Sequence, residues 1–536
     1  MEPYKVVIPC AGTGSRIAPY TNAVNKALVT LGDLPAIVRI ILQFPLEIEL
    51  VIPLGYKANH LRQVLDTFFP DRTITYVEID LYEGPGSGLG YTLNKVKHLL
   101  QCPFVFCPND SLIKFDDFDP DPNLLGNWLA IYKKRVGDEV PVDQYRTVSF
   151  ANDIMVNINP KGIHNLNIYT GLCGVRNYEE FWEKMSDDES IVVGESFGLK
   201  ALDRVRVFTF EMWWDTGNLL SIDRAKEYYN NTENNILEKE NESIWFYDSK
   251  VIKFHTDKNF IRDRLSRSKE IHLSLIPEIL GFSDNLFWYK KIDGSVFSKI
   301  IDNDKTVSLL KHAHRLMWCK TRELNLAQDQ EPLLEFYKEK TLLRVQDYLK
   351  RFEKDDMPLR INSLQCPKVS ELISSIDWEE FIQDSILSQF HGDFHSENIL
   401  YTEENFKLID WRQDFGELGK KYGDVYYDLA KFLHGLMVSH EIIANDGYSI
   451  NYMGKDEVFI NLDQKFSNVQ AVEVFYNWCK ENNYNIDKIK LITALIYLNI
   501  SSLHHYPYSD LLFLLGKYML TQTLELSTKY KRYNHS

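Results

Sequence analysis

Asp393, Asn398 and Asp410 are three oxygen-bearing side chains whose order and spacing suit phosphoryl chemistry. They stand in His391-Gly392-Asp393-Phe394-His395-Ser396-Glu397-Asn398-Ile399-Leu400 and in Leu408-Ile409-Asp410-Trp411. Two short apolar runs, Asn398–Tyr401 and Phe406–Asp410, flank the polar Thr402-Glu403-Glu404-Asn405, which reads as a hairpin turn. Such a hairpin carries Asn398 at one strand start and Asp410 at the other strand's end. The two then lie close enough to share Mg2+, which takes hard oxygen ligands together with phosphate oxygens. Asp393, in the loop before the hairpin, is placed to accept a proton from an attacking hydroxyl. A chance run of polar turn residues is the competing reading; the spacing and the intervening strands both oppose it.

A second set of candidates opens the chain. Val6-Val7-Ile8-Pro9 is a continuous apolar run, as in a buried parallel strand, and Ala11-Gly12-Thr13-Gly14-Ser15-Arg16 follows at once. A strand feeding a Gly-rich loop offers backbone N–H groups to an anion, so Ala11, Gly12 and Gly14 are candidate nucleotide contacts; an ordinary βα turn is the alternative. Phe104-Val105-Phe106-Cys107-Pro108-Asn109-Asp110 is a strand ending in an acid. Ligands of open α/β sheets bind at that end, so Asp110 reads as a Mg2+ ligand.

The elements around these residues alternate. Glu49–Ile52 and Ile74–Ile79 read as strands, and Ala58–Phe69 as an amphipathic helix between them. Alternation of this kind predicts a parallel sheet with crossover helices. Gly84-Pro85-Gly86-Ser87-Gly88-Leu89-Gly90 is a further Gly-rich loop opening a helix. Asn230–Asn235 is polar and has no large apolar residue, and the domain boundary is placed there: 1–233 and 234–536.

The spacing of Asp393, Asn398 and Asp410 matches the protein-kinase logic of a base Asp, a metal Asn five residues on and a second metal Asp. Together with Tyr422-Gly423-Asp424 and Tyr427-Asp428-Leu429-Ala430, the stretch resembles the aminoglycoside phosphotransferase and choline/ethanolamine kinase superfamily. The resemblance covers roughly the C-terminal half. It implies a bilobal, protein-kinase-like α+β domain that phosphorylates a small molecule. Ile244–Phe254 then reads as an N-lobe hairpin, with Lys253 the strand lysine that meets ATP phosphates and Asp263 or Glu270 its acidic partner. The loop ahead of it, Glu238–Ser243, lacks the expected glycine. Many choline and ethanolamine kinases carry an acid where Arg412 stands here, so Arg412 points toward a polyol, sugar or anionic acceptor. Asp424 and Asp428 read as braces of the catalytic loop, and His395, His504 and His505 as structural or pocket-lining.

In the N-terminal half, Gly12-Thr13-Gly14-Ser15-Arg16, Pro19-Tyr20-Thr21 and Asn25-Lys26-Ala27-Leu28 resemble the signature of sugar-1-phosphate nucleotidyltransferases, phosphocholine cytidylyltransferases included. The family has proline where Asn25 stands. The resemblance implies a Rossmann-like α/β domain with a mostly parallel sheet. It makes Lys26 and Arg16 the catalytic phosphate clamps and gives Gly86, Gly88 and Gly90 to the nucleotide base. Trp213-Trp214-Asp215-Thr216-Gly217 fits the family's second acid, pairing Asp215 with Asp110 on Mg2+. Lys161 corresponds to a substrate-phosphate lysine, and Tyr169, Gly171 and Glu195 fall in pocket loops.

Bulk composition narrows the partners. The formal charge of -16, from 60 basic and 76 acidic residues, argues against nucleic acid and anionic membranes. Seven scattered cysteines without a CxxC pair fit a reducing cytoplasm rather than a disulfide framework or a zinc site. The N-terminus runs straight into a strand pattern, against a signal peptide, and no run approaches the roughly 18 apolar residues of a membrane span.

These readings combine into a bifunctional enzyme. The C-terminal domain phosphorylates a small alcohol with ATP, and the N-terminal domain couples the phosphomonoester to an NTP, with CTP favoured, both with Mg2+. A sugar 1-kinase joined to a sugar-1-phosphate nucleotidyltransferase is the alternative from the same residues. A non-catalytic nucleotide-binding or scaffolding half is the alternative from another class. The acceptor, the nucleotide base and the oligomeric state stay open.

Overall fold

The structure is a computed structural model describing residues 3–18, 20–163, 165–229, 241–403 and 405–534. The polar joint at 230–235, the 233/234 boundary and residues 238–240 of the glycine-free loop lie outside the described residues. The chain divides into two compact units: residues 1–261 with 280–289, and residues 262–279 with 290–536.

The first unit is built on a nine-stranded sheet. Its strands in chain order are β1 (Lys5–Val7), β2 (Leu50–Leu54), β3 (Ile74–Glu78), β4 (Phe104–Phe106), β6 (Trp128–Lys133), β7 (Thr147–Ala151), β8 (Ile154–Asn159), β9 (Asn167–Val175) and β10 (Arg206–Phe210), where β5 (Ser111–Ile113) forms a separate pair with β11 (Trp213–Asp215). The spatial order is β3-β2-β1-β4-β9-β6-β10-β8-β7. Strand alternation sorts the apolar residues to two faces. Val6, Leu50, Ile52 and Val105 enter one core, while Val7, Val51, Phe104 and Phe106 enter the other. Between β2 and β3, α1 (Ala58–Phe68) buries Leu61, Val64, Leu65 and Phe68, an i, i+3, i+4, i+7 stripe.

The expectation of a mostly parallel sheet holds only for β3-β2-β1-β4. From β9 the sheet is mixed: β9 runs antiparallel to β4 and β6, β10 is parallel to β6, and β8 is antiparallel to β10 and β7. The helix-and-strand alternation read from the sequence ends near residue 106, and hairpin-type connections need no crossover helix.

Residues 242–290 form a four-stranded sheet of β12 (Glu242–Tyr247), β13 (Lys250–His255), β14 (Ile279–Phe282) and β15 (Leu286–Lys290), ordered β12-β13-β15-β14. Trp245, Ile252, Phe254 and Leu286 of this sheet belong to the same buried cluster as Val6 and Ile8. The Trp245 indole N–H donates to Thr30 Oγ1 at 2.9 Å, and the Phe246 N–H donates to the Asp33 carbonyl at 3.0 Å. The hairpin read as a kinase N-lobe therefore shares the core of the first unit.

The second unit is mostly helical. α2 (Leu326–Leu334) runs through a π turn at Glu335–Glu339 into α3 (Lys340–Arg351), and α4 (Val425–Met437) packs against Phe466–Glu481 and Ile486–Ser501. Its key hairpin is β16 (Ile399–Tyr401) with β17 (Phe406–Leu408), in the register Ile399↔Leu408 and Tyr401↔Phe406. The Thr402 N–H donates to the Asn405 carbonyl at 2.8 Å, closing the turn read from the sequence. Among the described residues no helix is long and apolar enough to cross a membrane.

Replacing Trp245 tests the shared core. The indole is fully buried and packs edge-on against Phe68 at 5.9 Å between ring centroids. Trp245→Ala is expected to destabilise the first unit by about 3–5 kcal/mol, read as a lower urea midpoint by circular dichroism. An unchanged midpoint would show that the sheet contributes little to that core.

Candidate active sites

The first candidate centre lies at the carboxyl ends of β1 and β4, in a cavity of about 520 Å³. Ala11, Gly12, Gly14, Arg16, Lys26, Gly88, Asp110, Lys161, Tyr169, Gly171, Glu195 and Asp215 all line it. Asp110 and Asp215 are 105 residues apart in sequence, and the β5–β11 pair joins them: Asp215 stands opposite Ser111 in register. The Thr216 N–H donates to the Asp110 carbonyl at 2.8 Å, and the Trp213 indole donates to Ser111 Oγ at 2.7 Å.

Gly217 sets the gap between the two acids. A Cβ placed there would come 2.9 Å from Asp215 Oδ1 and 3.1 Å from Asp110 Oδ2. Two carboxylate oxygens thus face one space that a methyl group would fill. Hard oxygen donors around such a cradle fit Mg2+, which completes its shell with phosphate oxygens and water. Among the described residues no group of three or more His, Cys, Asp or Glu is arranged for a metal ion. Two carboxylates with substrate oxygens are the donor set this cradle offers.

Lys26 Nζ donates to Asp110 Oδ2 at 2.6 Å. Burial pushes the Asp110 carboxyl up, but Lys26 and then Arg16 outweigh it and hold the acid below its usual range. Lys26 acts on Asp215 only weakly. Burial and the Asp110 charge raise it to about 6, against hydrogen bonds from the Tyr145 hydroxyl at 2.6 Å and the Gly217 N–H at 3.0 Å. Asn25 positions Lys26. Its Nδ2 donates to the carbonyls of Cys10 at 2.9 Å and Tyr56 at 2.7 Å, while its Oδ1 caps the Lys26–Leu28 turn through the Ala27 N–H. Gly14 clears the path of the lysine: it has φ of 69°, and a Cβ on it would lie 2.9 Å from Lys26 Cβ.

Lys161 lies exposed on the rim, where partial burial of the amine and the neighbouring Arg16 and Arg146 hold it below an ordinary lysine. Glu195 is 3 % exposed, and its Oε2 has no hydrogen-bond partner among the described residues. Burial raises its carboxyl, with Arg146 opposing. Gly86 and Gly90 do not line the cavity. The loop glycine that does is Gly88, directly before the helix Leu89–Val96. Gly90 packs instead against backbone, since a Cβ there would meet the Ser190 carbonyl at 1.9 Å.

The second candidate centre lies wholly in the second unit. Asn398 Nδ2 donates to the Asp393 carbonyl at 3.0 Å and to Asp393 Oδ2 at 3.1 Å. The Ile409 N–H donates to the Asn398 carbonyl at 2.9 Å, which brings the Asp410 end of the hairpin beside Asn398. Asp410 has φ of 59° and takes an Arg264 guanidinium on Oδ1 at 3.1 Å. Its carboxylate and the Asn398 side-chain oxygen Oδ1 are again hard donors suited to Mg2+.

Asp393 is held by a lysine and a histidine. Lys431 Nζ lies 2.9 Å from its Oδ1 and His395 Nε2 3.6 Å from its Oδ2. Burial would raise the acid, but Lys431 and His395 reverse the sign and keep it well below the carboxylate range. Asp428 braces the loop by accepting the N–H groups of His391 and Gly392, both at 2.7 Å, and the Trp318 indole at 3.0 Å. Asp424 caps α4 through the Tyr426 N–H and accepts the Tyr337 hydroxyl. His391 joins the two motif segments: its Nε2 lies 3.0 Å from the Ile409 carbonyl, and its Nδ1 accepts the Asp393 N–H at 3.2 Å. Lys253 is a buried residue of β13. Asp263 ion-pairs Lys420 at 2.9 Å.

A scan against protein-family models finds no match, and a search of curated proteins finds none either. Among solved structures, the chain is similar to a UDP-glucose pyrophosphorylase from Acinetobacter baumannii at 19 % identity, covering 42 % of this chain and 93 % of that one with a TM-score of 0.35. It is similar to a CTP:phosphocholine cytidylyltransferase from Streptococcus pneumoniae at 17 % identity, covering 42 % and 99 % with a TM-score of 0.34.

Sequence reading missed several residues that the fold brings to these centres. Tyr145, Arg146 and Asn218 line the first cavity; Tyr145 and Arg146 precede a strand without any motif. Lys431 and Arg264 reach the second centre from helices, and only helical spacing from Asp428 could have suggested Lys431.

Filling the Gly217 cradle separates metal binding from folding. Gly217→Ala is expected to weaken Mn2+ binding at the first centre by about tenfold or more, read by electron paramagnetic resonance, while thermal stability changes little. Undiminished Mn2+ binding would place the metal elsewhere.

His391 predicts a pH signature for the second unit. Burial pushes its imidazole down to about 3, and its Nδ1 is already an acceptor. The unfolded chain takes up a proton near 6.5 that the folded chain refuses, so this contribution to stability is present above 6.5 and falls as pH drops toward 3. The difference between the wild type and His391→Asn should shrink by about 1.4 kcal/mol per pH unit across that window. Parallel stability profiles would show that His391 is not held neutral.

Proposed function

We propose that the chain is a bifunctional enzyme: a nucleotidyltransferase centred on Asp110, Asp215 and Lys26, and a small-molecule kinase centred on Asp393, Asn398 and Asp410. The observation that carries the reading is the Gly217 cradle, where acids remote in sequence face one cation-sized gap beside a lysine clamp. A second, independent constellation in the other unit, with a base Asp and two hard metal donors, supports the kinase half.

At the first centre, an oxygen of a phosphate monoester attacks the α-phosphorus of an NTP, and the bond to the bridging oxygen breaks to release pyrophosphate. The nucleophile is already an anion, so no general base is required. Lys26 and Arg16 offset the charge that builds at phosphorus, and Lys161 and Arg146 hold the phosphomonoester. Bound by Asp110 and Asp215, Mg2+ would neutralise phosphate charge along the in-line path. CTP is the favoured nucleotide, on the resemblance of Gly12–Leu28 to the phosphocholine cytidylyltransferases.

At the second centre, an alcohol oxygen forms a bond to the γ-phosphorus of ATP as its proton passes to Asp393, and ADP leaves. Lys431 and His395 keep Asp393 ionised and oriented. Asn398 and Asp410 would hold Mg2+, which supplies charge neutralisation on the phosphates. The phosphomonoester made here is the substrate class of the first centre. The product would be a nucleotide-activated headgroup for decorating a surface polysaccharide or lipid, made in the cytoplasm.

The test uses the full chain with a panel of alcohols, ATP and each of CTP, UTP, GTP and dTTP, following ADP and pyrophosphate separately. Asp393→Asn should cut ADP formation by about 10²-fold or more while pyrophosphate release from a supplied phosphomonoester persists. Asp110→Asn should do the reverse. If either variant silences both products or neither, the two-centre assignment fails.

A further inference from the structure

Lys340 and Arg412, neither with an ion-pair partner among the described residues, gather near Lys431, which pairs with Asp393. The π turn at Glu335–Glu339 places Phe336 and Lys340 on one face of the α2–α3 run, and π turns in helices recur at functional sites. Lys340 Nζ stands 4.8 Å from the Phe336 ring centroid, and the Arg412 guanidinium carbon stands 5.0 Å from the same centroid. Phe336 is fixed in turn by stacking on Phe415, with ring centroids 4.0 Å apart.

Arg412 belongs to the catalytic loop's own wall. Its N–H donates to the His391 carbonyl at 3.0 Å, and a Cβ on Gly392 would come 2.5 Å from Arg412 Cβ. Its Nε is buried with no hydrogen-bond partner among the described residues. Lys340 likewise has no hydrogen bond or ion pair among them. Arg344 and Lys431 add to the positive field around Lys340. Asp414, the opposing acid, accepts the Gly416 N–H at 3.0 Å, and Arg344 lies 3.8 Å from Asp347. Burial and these three cations pull Lys340 down to about 7.

Like charges converge this way at a cost unless an anion joins them. The two oxygens of Asp393 also face different partners: Asn398 bonds Oδ2, on the metal side, and Lys431 bonds Oδ1, on the cationic side. A quaternary ammonium acceptor needs aromatic faces free of competing cations, and the Phe336 ring is already flanked by two. Guanidinium recognises carboxylate and phosphate through paired hydrogen bonds.

Resting on the kinase reading above, we propose that the alcohol phosphorylated at Asp393 carries an anionic group, a carboxylate or a phosphate, and that Arg412 and Lys340 bind it.

The full chain with Mg-ATP is assayed for ADP release with glycerate, glycerol 3-phosphate, glycerol and choline. At least one anionic alcohol should exceed glycerol and choline by about tenfold or more in kcat/KM, and which of the two prevails separates carboxylate from phosphate. Arg412→Gln and Lys340→Met should each raise KM for the preferred anionic alcohol by about tenfold or more and leave KM for ATP within about twofold. Lys340→Arg should recover most of the loss, which keeps the comparison readable if Lys340→Met fails to fold. A preference for choline or glycerol, variants that raise KM for ATP instead, or no turnover of the four probes would each overturn the proposal. If ATP turnover still depends on Asp393 in that case, the kinase reading survives; if Asp393→Asn leaves ATP turnover unchanged, both fall.

Discussion

Two carboxylates, Asp110 and Asp215, are made to face one gap that a methyl group would fill, and the site is arranged around that repulsion. Left alone, like charges so placed push one acid toward its protonated form, which no metal ligand can be. Lys26 breaks the symmetry by bonding Asp110 and leaving Asp215 as the raised member of the pair. The lysine reaches there only because Asn25 ties its turn to the carbonyls of Cys10 and Tyr56, and because Gly14 offers no side chain in its path. Asn25 thus holds the turn through its side-chain amide. Proline has no side-chain donors for those carbonyls, so here three hydrogen bonds fix what a ring would otherwise stiffen.

The second centre solves a related problem with opposite means. Burial alone would raise Asp393, and Lys431 and His395 beside it reverse the sign. On the kinase reading proposed above, an acid held this low would orient the hydroxyl first and take its proton late along the reaction coordinate. Asp428 makes that orientation rigid by gathering the His391 and Gly392 N–H groups and the Trp318 indole on one carboxylate. His391 extends the brace to Ile409, so that the loop bearing the base and the strand end bearing Asp410 are fixed to one imidazole.

Local pattern carried much of this into the sequence. The run Val6–Pro9, the apolar stripe of Ala58–Phe68 and the hairpin around Thr402–Asn405 are set by nearest neighbours, and each is readable from periodicity or turn chemistry. Most loop residues named for the first cavity line it because strand-end loops converge at one sheet edge. What periodicity cannot hold is contact at long range. The antiparallel half of the sheet, Arg146 beside Glu195 and Lys431 beside Asp393 come together only through tertiary packing. Gly90, in a Gly-rich loop that reads as a ligand loop, lies where a Cβ would meet the Ser190 carbonyl, a contact no local pattern shows. Trp245 stands in a hairpin that reads by type as part of the C-terminal domain, and its indole packs with Thr30 and Phe68.

Charge links the two centres in a chain whose surface is acidic overall. With a formal charge of -16 the chain as a whole does not attract anions at long range, so a centre that takes one relies on positive charge close by. The first does so with Arg16, Lys26, Arg146 and Lys161 lining one cavity, the second with Lys340, Arg412 and Lys431 about Asp393. A field confined to a pocket within an acidic exterior discriminates by reach. A small anion that enters meets several cations at once, whereas an extended polyanion would meet acidic surface first. On the reading proposed above, that division would favour small anions over nucleic acid at both centres.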